Sequence, residues 1–186
     1  MDIEIQKIKA TYDPVGEKAV LLCPPHPLMG GCRFDERLVR IARRLNSLGF
    51  STMIFDYRGY REGIGEIEDA KICIDFLKSM HSTVTIVGYS FGSVVASNVA
   101  NLCNSAVFIS PLPSIGSISF KDSEVPKLFV IAKRDQFISL SDGFLLFLKA
   151  KDPKDFAILD TDHFYFGKFD LLTERVCNFI VNENKI

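Results

Sequence analysis

The sequence contains no tryptophan, only three histidines and no long apolar run, and its charges nearly cancel. Lys and Arg total 22 against 23 Asp and Glu, so no net field attracts nucleic acid or an anionic membrane surface. No apolar stretch approaches the roughly 20 residues that a membrane-spanning helix needs. We therefore expect neither a nucleic-acid partner nor a membrane partner.

Cysteine is also sparse: the five residues are odd in number and scattered, and no two form a CxxC pair. This pattern argues against a disulfide framework and against a zinc site, and it favours buried thiols. The first residues, MDIEI, are acidic and alternating, unlike a secretory signal peptide. We expect a cytoplasmic protein that needs no metal and no cofactor.

What is present is a hydrophobic content of 47% in 186 residues, enough for one domain with a sizeable core. Apolar patterns predict strands at 3–11, 18–23, 50–57, 82–89, 105–110, 127–132 and 155–160. Helical spacing predicts helices at 34–48, 66–80, 91–101, 140–150 and 169–182. In the first helix, one apolar face is formed by Leu38, Ile41, Ala42 and Leu45.

This order predicts an α/β protein, a three-layer α/β/α sandwich in a single domain of residues 1–186. Its core is a mostly parallel, doubly wound sheet of about seven strands. A short turn joins the first strand to the second, which predicts an antiparallel strand at one edge of the sheet.

The segment TIVGYSFGSVVASNVA (85–100) changes from a β-branched strand to a small-residue helix around Ser90. A tight turn there exposes the hydroxyl and crowds the residues two before and two after, which explains Gly88 and Gly92. Ligands collect at the carboxyl ends of parallel strands, where this turn lies. The alternative is a glycine-rich packing turn without chemistry.

The motif GYSFG (88–92) resembles the nucleophile elbow of the α/β-hydrolase family. PPHPLMGG (24–31) is similar to the HPHP…GG segment of its small, lid-less members near the dienelactone hydrolases. The resemblance spans essentially the whole chain. It implies the α/β-hydrolase fold without a cap domain, and a nucleophile, an acid and a histidine in that chain order.

A serine hydroxyl needs a base within hydrogen-bond reach, and the chain offers three histidines. His81 precedes the central strand and belongs at the opposite edge of the sheet, whereas His26 precedes Pro27 in the expected oxyanion loop. His163 follows the last strand and returns to the edge of Ser90. It is the predicted base; the alternative is a histidine packed in a loop.

The histidine needs a carboxylate to fix its tautomer. Asp135 follows the penultimate strand, in the loop where the family places its acid, and is the predicted third catalytic residue. Asp160 and Asp162 are so close to His163 in sequence that pointing at its ring is awkward. Asp56, after an earlier strand, is a weaker alternative.

The tetrahedral intermediate needs backbone donors aimed at its oxyanion. The N–H of Phe91, the residue after the nucleophile, is one predicted donor. The second should come from the HPLMGG segment, where Pro27 has no N–H. Leu28 is the predicted second donor, with Met29 as the alternative.

The loop from Pro111 to Pro126 is too short for a deep lid, so we expect a shallow, open site. Met29, Phe137 and Phe164 are candidate pocket residues, with Phe166 a further candidate. A serine at the elbow argues against the aspartate-dependent dehalogenases and epoxide hydrolases of this fold. The expected partners are a small-molecule carboxylic ester or thioester and water.

The segment DYRGYREGIG (56–65) departs from the family's turn pattern and is interpreted as loop structure. An alternative is that Arg58 or Arg61 recognises an anionic substrate. Three functions remain open: ester hydrolysis, acyl transfer or peptide cleavage on the same apparatus, and a non-catalytic scaffold. The sequence gives no indication of the oligomeric state.

Overall fold

The computed structural model describes residues 1–184 as a central sheet with helices on both faces. The strands are β1 (Asp2–Ile5), β2 (Ile8–Asp13), β3 (Lys18–Cys23), β4 (Ser51–Phe55), β5 (Thr83–Tyr89), β6 (Ser105–Ile109), β7 (Ser114–Ile115), β8 (Ile118–Ser119), β9 (Lys127–Ala132) and β10 (Lys154–Leu159). The helices are α1 (Glu36–Ser47), α2 (Ile64–Lys78), α3 (Phe91–Val99), α4 (Leu140–Lys149) and α5 (Phe169–Glu183), and short 3-10 turns lie at Pro27–Met29 and Ala100–Leu102. The predicted domain end, residues 185 and 186, lies outside the described residues.

The central sheet has the strand order β1-β2-β4-β3-β5-β6-β9-β10. Every neighbouring pair from β4 to β10 is parallel, and β1 and β2 are antiparallel at one edge. The inner strands are buried on both faces, as continuous apolar runs predict. The mostly parallel, doubly wound sheet is therefore confirmed.

Two apolar cores lie on the two faces of the sheet. Helices α2 and α3 pack on one face, and α1 and α5 pack together on the other. The predicted apolar stripe of α1 is fully confirmed: Leu38, Ile41, Ala42 and Leu45 are its buried residues. Gly49 follows that helix with φ +87°, a conformation in which glycine carries no steric penalty.

The single strand predicted for residues 3–11 is wrong, because the chain reverses there. Gln6 and Lys7 adopt φ values of 48° and 68° and form a two-residue hairpin turn between β1 and β2. The central sheet consequently has eight strands. Gln and Lys are not typical turn residues, yet the apolar alternation changes phase between Ile5 and Ile8, which pair across the hairpin.

Between β6 and β9 the chain forms only the small β7–β8 hairpin, which the sequence did not predict. No helix is inserted there, so no cap domain covers the carboxyl edge of the sheet. No helix within residues 1–184 has the length and apolar character needed to cross a bilayer.

Candidate active site

The turn at Ser90 joins β5 to α3 and is strained in the way the glycines predict. Ser90 has φ 55° and ψ −119°. A β-carbon on Gly88 would lie 2.2 Å from the carbonyl oxygen of Gly92, and one on Gly92 would lie 2.2 Å from that of Cys23. Because all these neighbours are backbone atoms, only glycine fits at either position. The turn exposes the Ser90 hydroxyl at the carboxyl edge of the sheet.

Phe91 begins α3, so its N–H has no acceptor within the helix. The Ser90 carbonyl oxygen, by contrast, accepts the N–H and the hydroxyl of Ser93 at 2.9 and 2.6 Å. The helix start places a positive dipole end beside the Ser90 hydroxyl. This geometry fits the predicted role of the Phe91 N–H as an oxyanion donor.

Ser90, His163 and Asp135 form one continuous chain of hydrogen bonds. Nε2 of His163 lies 3.0 Å from Oγ of Ser90, although the two residues are 73 positions apart. Nδ1 of the same ring lies 2.7 Å from Oδ2 of Asp135. The His163 and Asp135 side chains are only 6% and 0% exposed, so the bond between them is shielded from water.

The Asp135 carboxylate is fixed by its own loop. Its Oδ1 accepts the backbone N–H groups of Phe137 and Ile138 at 2.9 and 3.2 Å. Burial opposes ionisation, but the hydrogen bonds from His163 and from Phe137 outweigh it and lower the pKa of Asp135. Because an ionised carboxylate only accepts, Nδ1 of His163 carries the proton and Nε2 is free to accept one.

The three rival carboxylates have other partners. Asp160 pairs with Arg134 at 3.2 Å on the surface. Asp162 accepts backbone N–H groups within its own turn, and Asp56 pairs with an arginine of the preceding loop. Asp135 is thus the carboxylate that the fold brings to the His163 ring.

Two residues that sequence reasoning missed hold the main chain of His163. The buried Tyr89 hydroxyl donates to the His163 carbonyl oxygen at 2.8 Å. The Gln136 side-chain oxygen accepts the His163 N–H at 3.0 Å. Tyr89 directly precedes the nucleophile, a position that could have drawn notice, whereas no sequence signal marks Gln136.

A buried ion pair at the start of α1 was also missed. Asp35 caps the helix, and its Oδ1 accepts Nε of Arg37 at 3.0 Å. Burial disfavours the Arg37 charge, but the Asp35 carboxylate outweighs this and raises the pKa of Arg37. The guanidinium lies 4.6 Å from the centre of the Tyr89 ring, so the pair supports the residue that holds His163.

The second predicted oxyanion donor is engaged in a local turn. The Leu28 N–H donates to Nδ1 of His26 at 3.2 Å, and the Met29 N–H donates to the His26 carbonyl oxygen at 3.0 Å. The His26 ring stacks against Tyr60 and Phe91 at 4.7 and 4.9 Å, and burial lowers its pKa, against the influence of Glu66. Leu28 as a donor stays a prediction, which requires its N–H to leave His26.

A cleft of about 340 Å³ opens over Ser90 and His163. Met29, Phe137 and Phe164 contribute to its wall, whereas the further candidate Phe166 does not. The β7–β8 hairpin and the chain just before it add further lining that the sequence did not predict, namely Leu112, Ser114 and Ile115.

Arg58 and Arg61 support the loop interpretation. Both guanidinium groups pair with Asp69, at 2.6 and 2.7 Å, and the Asp69 side chain is fully buried. Neither arginine contributes to the cleft wall described above. Their ion pairs with Asp69 of α2 fix the segment between β4 and α2.

Comparisons with known proteins agree with this fold. The sequence model described as "Alpha/beta hydrolase family" matches residues 18–177. No curated protein sequence matches significantly. Similar solved structures include an alpha-beta serine hydrolase homologue from Coxiella burnetii, with 22% identity, a TM-score of 0.84 and coverage of 96% of this chain and 95% of that one.

Two further structures extend the likeness. A serine hydrolase without lid from Xanthomonas campestris has 19% identity, a TM-score of 0.88 and coverage of 98% and 94%. Est1E from Butyrivibrio proteoclasticus has 15% identity, a TM-score of 0.82 and coverage of 100% and 99%. The chain belongs to the alpha/beta hydrolase family and has the fold of its lid-less serine hydrolases.

Proposed function

We propose that the protein hydrolyses carboxylic esters or thioesters, with Ser90 as nucleophile, His163 as general base and acid, and Asp135 as the residue that orients His163. The observation that carries this proposal is the pair of hydrogen bonds that links the three side chains, at 3.0 and 2.7 Å. A serine whose proton can pass to a shielded, oriented imidazole is an activated nucleophile.

In the first half-reaction, Oγ of Ser90 attacks the substrate carbonyl carbon while Nε2 of His163 takes the hydroxyl proton. The oxyanion that forms accepts the Phe91 N–H. Collapse of the intermediate breaks the bond to the leaving group, which receives the proton from Nε2 as it departs. An acyl-serine remains, and the negative charge of Asp135 stabilises each imidazolium stage.

In the second half-reaction, water replaces the leaving group in the cleft. His163 removes one proton from the water as its oxygen attacks the acyl carbon. The second intermediate releases Oγ of Ser90, which recovers a proton from Nε2, and a carboxylic acid leaves. The products are one alcohol or thiol and one acid, with no cofactor in the balance.

Esters of small or exposed acyl groups fit this cleft best. Its walls combine apolar side chains with the Ser114 hydroxyl and the paired Arg37, and no cap domain encloses it. One structural relative, Est1E, has been solved with ferulic acid bound, and another is the esterase Pf2001 from Pyrococcus furiosus. These likenesses support ester hydrolysis as the reaction class for this chain.

The direct test is labelling by a fluorophosphonate probe and turnover of p-nitrophenyl acetate. We expect the probe to modify Ser90, and the Ser90→Ala variant to lose both labelling and turnover. Ser79→Ala, at an exposed serine just after α2, is the matched control and should retain both. Folded wild-type protein that is neither labelled nor active contradicts the proposal.

The same acyl-serine can pass its acyl group to an alcohol or amine, so acyl transfer is the principal alternative. Turnover in water alone, compared with turnover in the presence of added alcohols and amines, separates the two reactions. We expect the free acid as the main product. A dominant transfer product assigns the protein to the acyltransferases instead.

A further inference from the structure

Four phenylalanine rings form a continuous surface strip that begins beside His163. They are Phe137, Phe164, Phe166 and Phe169, here named the phenylalanine track. The centres of successive rings are 6.1, 5.9 and 6.3 Å apart. Each ring therefore contacts the next, which makes the track one surface rather than four separate side chains.

Three of the four rings of the track are open to solvent although they are apolar, and Phe169 is half-buried against the core. Phe137, Phe164 and Phe166 are 54%, 36% and 65% exposed. Single exposed apolar residues are ordinary, but a contiguous apolar patch usually marks a binding surface. These rings are not needed to fix their loop to the core, because a different aromatic residue does so.

That anchor is Tyr165, which lies between two track residues. Its ring is fully buried, and its hydroxyl bonds to that of Ser110 at 2.9 Å. Tyr165 has φ 60°, and the side chains on either side of it, Phe164 and Phe166, both lie exposed. The outward position of the two rings is thus built into a fixed loop.

The near end of the track touches the imidazole of the candidate site. The Phe137 ring lies 4.7 Å from that of His163 at 66°, and the Phe164 ring lies 5.6 Å from it at 89°. In the proposed reaction Nε2 of His163 must protonate the leaving-group oxygen. The alcohol part of the ester therefore leaves the cleft beside these two rings.

We infer that the phenylalanine track binds the alcohol part of the substrate, and that the substrates are esters of extended apolar alcohols. This inference rests on the proposed ester hydrolysis and adds the substrate class. Because the track continues past the first ring, only a large apolar alcohol can contact its full length. The track does not restrict the acyl group.

The two arginines that adjoin the track are each paired with a carboxylate. Arg40 lies 5.1 Å from the centre of Phe169 and pairs with Glu36 at 2.8 Å. Arg37, which approaches the Phe164 carbonyl oxygen, is paired with Asp35. Since both cations already have carboxylate partners, neither offers an uncompensated charge to an anionic alcohol.

The test uses acetate esters whose alcohols grow from ethyl to phenyl, to 2-naphthyl and to decyl. Between ethyl and decyl acetate, whose alcohols are similar leaving groups, we expect kcat/KM of the wild type to rise. In Phe166→Ala the ratio of kcat/KM for 2-naphthyl acetate to that for ethyl acetate should fall about fivefold, mainly through KM.

Phe34→Ala is the matched control, because Phe34 is 62% exposed and stacks on Arg33 outside the track. It should leave the naphthyl-to-ethyl ratio unchanged. A second series with constant alcohol and lengthening acyl groups should respond equally in wild type and Phe166→Ala. An unchanged ratio in Phe166→Ala, or an acyl series that Phe166→Ala weakens as strongly as the alcohol series, overturns the inference.

A binding measurement separates this inference from the proposed hydrolysis. The Ser90→Ala protein should bind 2-naphthol, and addition of Phe166→Ala should raise the dissociation constant about fivefold. Failure of ester turnover with intact naphthol binding contradicts the hydrolysis, whereas turnover without this rise contradicts the track. The surface could instead be covered by a second copy of the chain or by a lipid surface. If Phe166→Ala weakens self-association or binding to lipid vesicles and leaves the alcohol preference unchanged, the inference is overturned.

Discussion

At the scale of single residues, His163 is held at more points than a triad requires. Its ring is bonded at both nitrogens, and its main-chain N–H and carbonyl oxygen are each taken by a side chain. Both ends of the residue are therefore fixed, and the imidazole reaches Ser90 without a conformational change. Pre-organisation of this kind lowers the barrier because no reorientation is needed during proton transfer.

Replacing Asp135 with Asn tests the orienting role. The amide can still accept the backbone N–H groups of its loop, so the fold should persist. It removes the negative charge and allows the wrong His163 tautomer, and kcat should fall by about 10⁴-fold. Esterase kinetics measure the loss; a decrease below about tenfold contradicts the assignment of Asp135.

The Tyr89→Phe variant tests the positioning residue that sequence reasoning missed. It removes only the hydroxyl that binds the His163 carbonyl oxygen, so kcat should fall about tenfold while KM stays constant. The unfolding free energy should also decrease by about 1–3 kcal/mol, since a buried acceptor loses its partner.

The control for this variant is Tyr12→Phe, which removes a hydroxyl that bonds to Nε2 of His81 at 2.8 Å, far from the elbow. It should leave kcat unchanged. Equal kinetic effects of the two substitutions would mean that Tyr89 contributes only to general stability.

The candidate triad could be found from residue type and chain order because few groups compete for each role. One serine lies at a strand-to-helix turn between glycines, and one of three histidines follows the last strand. Tyr89, Gln136 and Arg37 could not be found in this way. Their roles depend on loops that meet only in the folded chain, and even the position of Tyr89 beside the nucleophile does not encode its contact with His163.

At the scale of elements, the elbow is the best predicted feature, because the close approach of backbone atoms there excludes all but glycine. In Gly92→Ala the new β-carbon would meet the carbonyl oxygens of Cys23 and Pro24 at 2.2 and 2.4 Å. Strand β3 and helix α3 must separate, and the unfolding free energy should fall by at least about 1–3 kcal/mol in urea titrations.

Gly143→Ala supplies the comparison for this loss, since Gly143 is also helical. Its new methyl would meet only the Ile131 side chain, at 3.2 Å, and side chains can move. We expect a much smaller change, because alanine is also the better helix former. A Gly92→Ala protein as stable as Gly143→Ala contradicts the packing described for the elbow.

Helices and strands with a regular spacing of apolar residues could be predicted from the sequence, whereas the hairpins that depend on a turn could not. The buried stripe of α1 follows directly from helical spacing. The β1–β2 hairpin lacks glycine or asparagine at Gln6 and Lys7, so only the phase change in the alternation marks it. The β7–β8 hairpin has strands of two residues, too short for any period.

At the scale of the whole molecule, the parallel sheet brings distant loops to one edge. Loops after β3, β5, β9 and β10 carry His26, Ser90, Asp135 and His163 respectively. The right topology therefore assembles the site even where local details were missed. The exact positions of the site residues depend in addition on the side-chain contacts that hold these loops, and strand order does not determine those contacts.

The pH dependence of global stability reports on the same assembly. The folded-state pKa of Asp135 lies below the value of about 3.9 that an unfolded aspartate has. The folded protein thus binds fewer protons, and ionised Asp135 stabilises it at pH values above about 4. That contribution is lost as the pH falls through the folded-state pKa.

We therefore expect Asp135→Asn to be less stable than the wild type at pH 6, with the difference shrinking as the pH falls below about 4. Urea titrations from pH 7 to pH 3 measure the two unfolding free energies. Asp75→Asn, at an exposed position on α2, should follow the wild type throughout. The opposite result would be a difference in unfolding free energy that grows as the pH falls. It would mean that burial of the ionised carboxylate costs more free energy than its hydrogen bonds supply.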